Sequence, residues 1–209
     1  MTQIAIVDYG IGNVQSVVNA CTRIGARTRK VNTGDQLVAE HDHAIIMPGV
    51  GAIGEALAKL RASGLESALR RRVVDEGIRF LGICVGMQVL GEICEEFGTH
   101  RGFGWIPGRV RRLAPPGSAL RLPHVGWNTV EPVGGSWMSA ALGNRHFYFC
   151  HSYAVECPEQ YVRGRSDYGA PFAAAVEHGN IYGVQFHPEM SSGSGEALLA
   201  GFLKKMDHA

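Results

Sequence analysis

Gly82-Ile83-Cys84-Val85-Gly86 sets a thiol between two glycines, directly after the apolar run Ile78 to Ile83. This is the G-x-nucleophile-x-G form of a strand that turns sharply into a helix, with Cys in the place of Ser. The turn strains the central residue, and side chains two positions to either side would collide, hence glycine at both. Such an elbow presents the thiol at the carboxyl edge of a sheet and at a helix N-terminus, where the partial positive charge favours thiolate. The Val85 N–H is then placed to stabilise an oxyanion. Taken alone, the pattern fits a buried structural cysteine beside turn glycines equally well.

Two further stretches supply partners. Gln88 follows Cys84 by one helical turn, so it returns to the same face and can reach a substrate held at the thiol. His187-Pro188-Glu189 closes the last apolar run. In an extended chain, residues two apart point to one side, and Pro188 biases His187 toward the extended region. His187 can then act as general base, with Glu189 orienting its ring and stabilising the imidazolium. A lone histidine at a strand end is more often a satisfied surface residue, but a second sheet end carrying a cysteine elbow makes coincidence a poor account.

These groups meet only if the strands bearing them are neighbours, and the pattern of elements predicts that. Strands are expected over Ile4–Val7, Arg27–Val31, Ala44–Met47 and Ile78–Ile83, with helices over Val14–Ile24, Ile53–Leu60, Leu65–Glu76 and after Cys84. Strand alternating with helix implies an α/β fold, a mostly parallel central sheet with helices on both faces. The second half reads as extra strands, antiparallel in expectation, near Gly104–Leu113, Gly126–Glu131, His146–His151, Val162–Ser166, Pro171–Glu177 and Ile181–His187, with a last helix from Gly195 to Lys205. Pro115-Pro116-Gly117-Ser118 and Gly134-Gly135-Ser136 read as turns. With no repeat or linker, residues 1–209 are expected to form one domain.

Composition excludes several function classes. The chain has 209 residues, 45% of them hydrophobic, with 20 basic and 19 acidic side chains and a net charge of +1. That balance gives no electrostatic reason to bind nucleic acid or an anionic membrane. No apolar stretch approaches a bilayer span, and no leader pattern opens the chain. The five cysteines are odd in number and form no framework, so reduced thiols and a cytoplasmic setting are expected. Neither a metal nor an organic cofactor is expected. Gly10-Ile11-Gly12 lacks the third glycine of a dinucleotide-binding turn, Gln15 standing there. His41-Asp42-His43 reads as a polar loop, Arg70-Arg71-Arg72 as the solvated face of a helix, and Cys150 as inert core. His151 suits a structural hydrogen bond as well as a ligand contact.

Leu81-Gly82-Ile83-Cys84-Val85-Gly86-Met87-Gln88 together with Gln185-Phe186-His187-Pro188-Glu189 resembles the class I (triad) glutamine amidotransferases. Asp8-Tyr9-Gly10-Ile11-Gly12-Asn13, Pro48-Gly49-Val50-Gly51, Pro123-His124-Val125-Gly126-Trp127-Asn128 and Tyr148-Phe149-Cys150-His151-Ser152-Tyr153 are similar to segments of the glutaminase subunits serving imidazole glycerol phosphate synthases. The resemblance implies Cys84 as nucleophile with His187 and Glu189. It also implies an oxyanion hole from Val85 and the Gly49-Val50-Gly51 stretch, and glutamine contacts from Gln88, Glu96, Ser152 and Tyr153. The implied partner is a (βα)8-barrel cyclase bound as a heterodimer, toward which Asn13 and Trp127 would face, although core packing is also open to Trp127. The cyclase would consume the ammonia to make imidazole glycerol phosphate and an aminoimidazole carboxamide ribotide in histidine biosynthesis. A different ammonia acceptor, such as a pyridoxal phosphate synthase, or a non-catalytic subunit on the same fold are the alternatives. Met190 and Gly193 stand where many relatives carry basic residues; if those residues pair with acids on the cyclase, docking here must use other contacts.

Overall fold

Short apolar runs closed by glycine turns become the inner strands of a sheet. The computed structural model describes residues 3–113, 120–143 and 145–204. Strands β1 (Gln3–Val7), β2 (Arg27–Val31), β3 (Ala44–Gly49) and β4 (Arg79–Cys84) pair in parallel in the order β2-β1-β3-β4. Every residue of β3 is buried, as a strand covered on both faces requires. Between them lie α1 (Val14–Arg23), α2 (Gly34–Ala39), α3 (Ile53–Ala62) and α4 (Leu65–Leu69), the last continuing as wider helical turns over Arg70–Asp75. The sheet grows to one side of β1 through α1 and to the other through α2, α3 and α4. The right-handed crossover rule therefore sets α1 on the opposite face from the others. Asn13 caps α1, its side chain accepting from the Ser16 N–H at 3.3 Å.

After α5 (Val85–Gln88) come β5 (Ile93–Glu95), β6 (Thr99–Arg101), β7 (Arg109–Arg112), β8 (His124–Pro132), α6 (Trp137–Leu142), β9 (Arg145–His151), β10 (Tyr153–Glu156), β11 (Val162–Asp167), β12 (Pro171–His178), β13 (Ile181–Val184) and α7 (Ser192–Lys204). β13 joins β4 in parallel, and β12, β11, β8 and β9 follow antiparallel, completing a nine-stranded sheet ordered β2-β1-β3-β4-β13-β12-β11-β8-β9. A second sheet of four strands runs β10-β7-β5-β6.

The expected α/β architecture is present, with differences at its edges. The strand expected over Gly104–Leu113 shrinks to β7, because the N–H groups of Phe103, Gly104, Trp105 and Ile106 are taken by carbonyls of Val89, Gly91 and Leu90 behind α5. The short elements α2, α6, β5, β6 and β10 carry too few residues to show a period. Arg70 and Arg71 are exposed as expected, but Arg72 is buried and paired to Glu76. Asp42 is likewise no solvated loop residue: it is buried and held by Arg29 at 2.5 Å. The Pro115–Ser118 turn lies outside the described residues, as does Lys205. Among the described residues, no helix is long and apolar enough to cross a membrane.

The elbow is the tightest part of the fold. A Cβ on Gly82 would sit 2.2 Å from the Gly86 carbonyl oxygen, and one on Gly86 2.0 Å from the Met47 carbonyl oxygen. On Gly183 the nearest atom would be Met87 Cγ at 2.7 Å, part of a flexible side chain. Gly86→Ala should therefore lower stability by at least the ~1–3 kcal/mol of an overpacked core, and Gly183→Ala by clearly less. Denaturant midpoints of the two variants check the order.

Candidate active site

β4 ends at Cys84 and α5 begins at Val85, with no loop between. Cys84 is held at φ 55°, ψ −109°, a conformation that costs a non-glycine residue about 1–3 kcal/mol. The thiol stands at the carboxyl edge of the parallel strands. Val85 opens α5, so its N–H has no acceptor within the helix. Gly49 is the register partner of Cys84, which brings Val50 and Gly51 alongside. A Cβ on Gly49 would lie 2.1 Å from the Tyr9 hydroxyl and 3.0 Å from Val85 Cβ, so glycine is required there. The Tyr9 hydroxyl is buried without a hydrogen-bond partner among the described residues. Burial, and after it the charge on Cys84, push its pKa upward.

His187 arrives from the neighbouring strand. Val184 of β13 pairs with Ile83 of β4, and the chain runs on through Gln185 and Phe186. Phe186 stacks on Phe147 with centroids 4.0 Å apart, which anchors the segment. The His187 N–H donates to the Tyr148 carbonyl at 2.8 Å, and Ser191 Oγ donates to the His187 carbonyl at 2.6 Å. Nδ1 donates to Glu189 Oε1 at 2.8 Å, leaving Nε2 as the nitrogen for the Cys84 sulfur. Burial pulls the imidazole pKa down, but hydrogen bonds and charge from Cys84 and Glu189 outweigh it and push it up to about 11. The route to this pair differs from expectation. Glu189 does not lie in extended chain: β13 stops at Val184, and Pro188–Met190 form a tight helical turn. Pro188 has no N–H to extend the ladder and its fixed φ suits the first position of that turn.

A cavity of about 210 Å³ is lined by Cys84, Val85, Gln88, Glu96, Val50, Gly51, Ser152, Tyr153 and His187. The expected catalytic and binding residues thus converge, with Glu189 behind His187 and Gly49 beneath. The volume is below the ~300 Å³ at which drug-sized pockets begin, and suits a small amino acid. Glu96 is held by the Ile53 N–H at 2.5 Å. Asn13 and Trp127 do not line this cavity. Asn13 is exposed and occupied in capping α1, and Trp127 is 53% exposed, so core packing is not its role. A wider hollow of about 700 Å³, bounded by Arg61, Arg70, Arg101 and Trp105, lies elsewhere and includes no member of the Cys84 cluster. Among the described residues, no group of three or more His, Cys, Asp or Glu is placed to hold a metal ion.

Several residues here were not assigned from sequence. Cys150 is exposed and lines the cavity, contrary to the expected inert core; β9 turns Phe147, Phe149 and His151 inward and leaves Cys150 outside. Gln185, fully buried, lies 3.6 Å from Cys84 Sγ. Strand alternation was the available signal, since Gln185 precedes His187 by one period. His151 both lines the cavity and is bonded structurally. Its Nδ1 is 2.9 Å from the Tyr153 carbonyl, which can only accept, so Nδ1 carries the proton. His151 Nε2 then accepts from His124 Nδ1 at 3.1 Å, and His124 Nε2 from Asn128 Nδ2 at 3.4 Å. Burial lowers both imidazole pKa values to about 4, so this row is neutral at pH 7.

A cysteine on a strand-to-helix elbow, backed by a histidine–carboxylate pair, has the parts of a cysteine-dependent amide hydrolase. The chain belongs to the class-I glutamine amidotransferase family, whose model matches residues 5–206. Relatives named imidazole glycerol phosphate synthase subunit HisH include one from Moorella thermoacetica, 41% identical over 100% of this chain and 98% of its own. Another, from Methanothermobacter thermautotrophicus, is 44% identical over 96% of this chain and 98% of its own. A crystal structure described as glutamine amidotransferase superposes with a TM-score of 0.76 at 22% identity, covering 98% of each chain. The structure of PurLQS from Thermotoga maritima gives 0.76 at 18% identity, over 98% of this chain and 99% of its own. Those two likenesses concern the fold.

Glu189→Gln removes the charge of one of the two groups, Cys84 and Glu189, that raise His187. The imidazole should then titrate well below about 11, as read by NMR of the ring. A raised histidine pKa stabilises the fold fully below the unfolded value near 6.5 and loses that contribution as pH rises through the folded value. The variant should therefore lose it at lower pH than the wild type.

Proposed function

We propose that this chain is the glutaminase subunit of an imidazole glycerol phosphate synthase, hydrolysing glutamine and passing the ammonia to a (βα)8-barrel cyclase bound as a heterodimer. The reading rests on one observation above all: Cys84 and His187 line one small cavity, with Glu189 bonded behind His187. They do so in a chain 41% identical from end to end to a protein of that name.

The chemistry follows from the geometry. The Cys84 thiolate attacks the side-chain amide carbon of glutamine, and the new oxyanion is met by the Val85 N–H and the Val50–Gly51 backbone. His187, held protonated by Glu189, gives its proton to the departing nitrogen, which leaves as ammonia. His187 then takes a proton from water, whose oxygen attacks the thioester and releases glutamate. Gln88, Glu96, Ser152 and Tyr153 would hold the substrate's α-amino and α-carboxylate ends. Residues 1–209 would act as one glutaminase domain. All five cysteines are free, which suits reduced thiols and the cytoplasm.

Delivery to a partner is chemically sensible, since ammonia in neutral water is mostly ammonium and then not a nucleophile. Val125, Trp127 and Met190 are exposed at 55%, 53% and 45%. Trp127 packs edge-on to Tyr148, whose backbone is bonded to His187 and Ser191, so this apolar surface borders the triad. Met190 offers apolar contact where many relatives carry a lysine, and Gly193 is open. Docking through Trp127 would then be largely non-electrostatic.

Cys84→Ala should abolish glutamine-dependent synthesis by the complex and spare synthesis fed with ammonium salts. Loss of both would show that the substitution harms the complex instead. Hydrolysis by the isolated chain should be slow and rise greatly with cyclase and its nucleotide ligand. Trp127→Ala should weaken complex formation about tenfold or more, measured by titration calorimetry; an unchanged affinity would move the interface elsewhere.

A further inference from the structure

Gln185 is the least exposed polar residue near the nucleophile, at 0% relative exposure. Its backbone N–H is taken by the Ala174 carbonyl at 2.9 Å, fixing its place beyond β13. The orientation of its side-chain amide can be deduced. The Tyr153 carbonyl can only accept, so the Gln88 atom 2.8 Å from it is the amide nitrogen. That nitrogen lies 3.1 Å from the other amide, so the Gln185 atom facing it must be the oxygen. The Gln185 NH2 group is thereby turned toward Cys84 Sγ, 3.6 Å away. Rotating the Gln88 amide would set acceptor against acceptor beside Tyr153, and rotating the Gln185 amide would set donor against donor between the two glutamines.

We infer that Gln185 is a fixed hydrogen-bond donor to the Cys84 sulfur, a second donor beside His187 that stabilises the thiolate and sets its direction of attack. The inference rests on Cys84 being the nucleophile. An N–H buried away from water needs an acceptor, and a sulfur is a much better one when charged. As a thiol, Cys84 points its weak donor at the Cys150 carbonyl, 3.9 Å away. As a thiolate it has no use for that carbonyl, and Gln185 and His187 are the groups that gain. The titratable groups around the sulfur are His187, with Glu189 behind it, the Tyr9 hydroxyl, and Glu96, Cys150, His151 and Tyr153, which line the same cavity. Gln88 therefore has a second task besides meeting substrate: it locks the Gln185 amide against rotation.

The test is the pH–rate profile for alkylation of Cys84 by iodoacetamide in the full-length chain, with the modified peptide located by mass spectrometry. Gln185→Met keeps the shape and removes the donor. Its profile should move to higher pH, lowering the rate below the midpoint about tenfold. A folded variant with an unmoved profile would make Gln185 a packing residue and overturn the inference. Should the variant unfold, the wild type still decides. The 15N and 1H resonances of the Gln185 side-chain amide should titrate with the same midpoint as alkylation, and resonances indifferent to that ionisation would overturn it equally. Alkylation of a different cysteine with loss of glutamine hydrolysis, Cys84 staying unmodified, would instead sink the nucleophile assignment on which this one stands.

Discussion

The close approach of β4, β3 and α5 at Gly82, Gly49 and Gly86 is the constraint on which the rest depends. Backbone carbonyls of Met47 and Gly86 occupy the space where side chains would begin. The chain can therefore turn from strand to helix at a single residue, and Cys84 absorbs the strain at φ 55°. The cost of that conformation is small against a buried parallel sheet, and the return is a thiol projecting from a rigid edge with a free N–H beside it. Loop flexibility plays no part in placing this thiol.

Around this point the electrostatics divide into a charged and a neutral region. His187 sits between Cys84 and Glu189, whose hydrogen bonds and charge together overcome its burial. On the other side, His151 and His124 are buried without a carboxylate to hold a proton and stay uncharged. The two regions share one acceptor, the Tyr153 carbonyl, which receives His151 Nδ1 on one side and Gln88 Nε2 on the other. One backbone oxygen thus fixes both a histidine tautomer and the sense of an amide row ending at the sulfur.

Much of this was legible in the residues themselves, because the chemistry is concentrated in short motifs. Glycines at 82 and 86 mark the elbow, and His187 and Glu189 lie close enough in the chain for their pairing to be foreseen. The parallel sheet was legible from the alternation of apolar runs with amphipathic ones. Glu96, Ser152 and Tyr153 were reachable only through resemblance, since they join the site by tertiary contact. Gln185 and Arg72 escaped for a related reason: a polar residue beside apolar neighbours reads alike whether solvated or buried against a distant partner. Cys150 was misjudged because an aromatic strand suggests core on both faces, whereas β9 buries only one.

β9 is the last strand of the nine-stranded sheet, and its outer edge would ordinarily offer a row of open backbone groups to any extended chain. That row is interrupted here. Tyr148 accepts from the His187 N–H and donates to Ser191 Oγ, and the Cys150 carbonyl faces the Cys84 sulfur. The segment carrying His187 thus serves as a stopper against strand addition. Protection from self-association and the placement of a reacting group are, at this edge, one and the same set of hydrogen bonds.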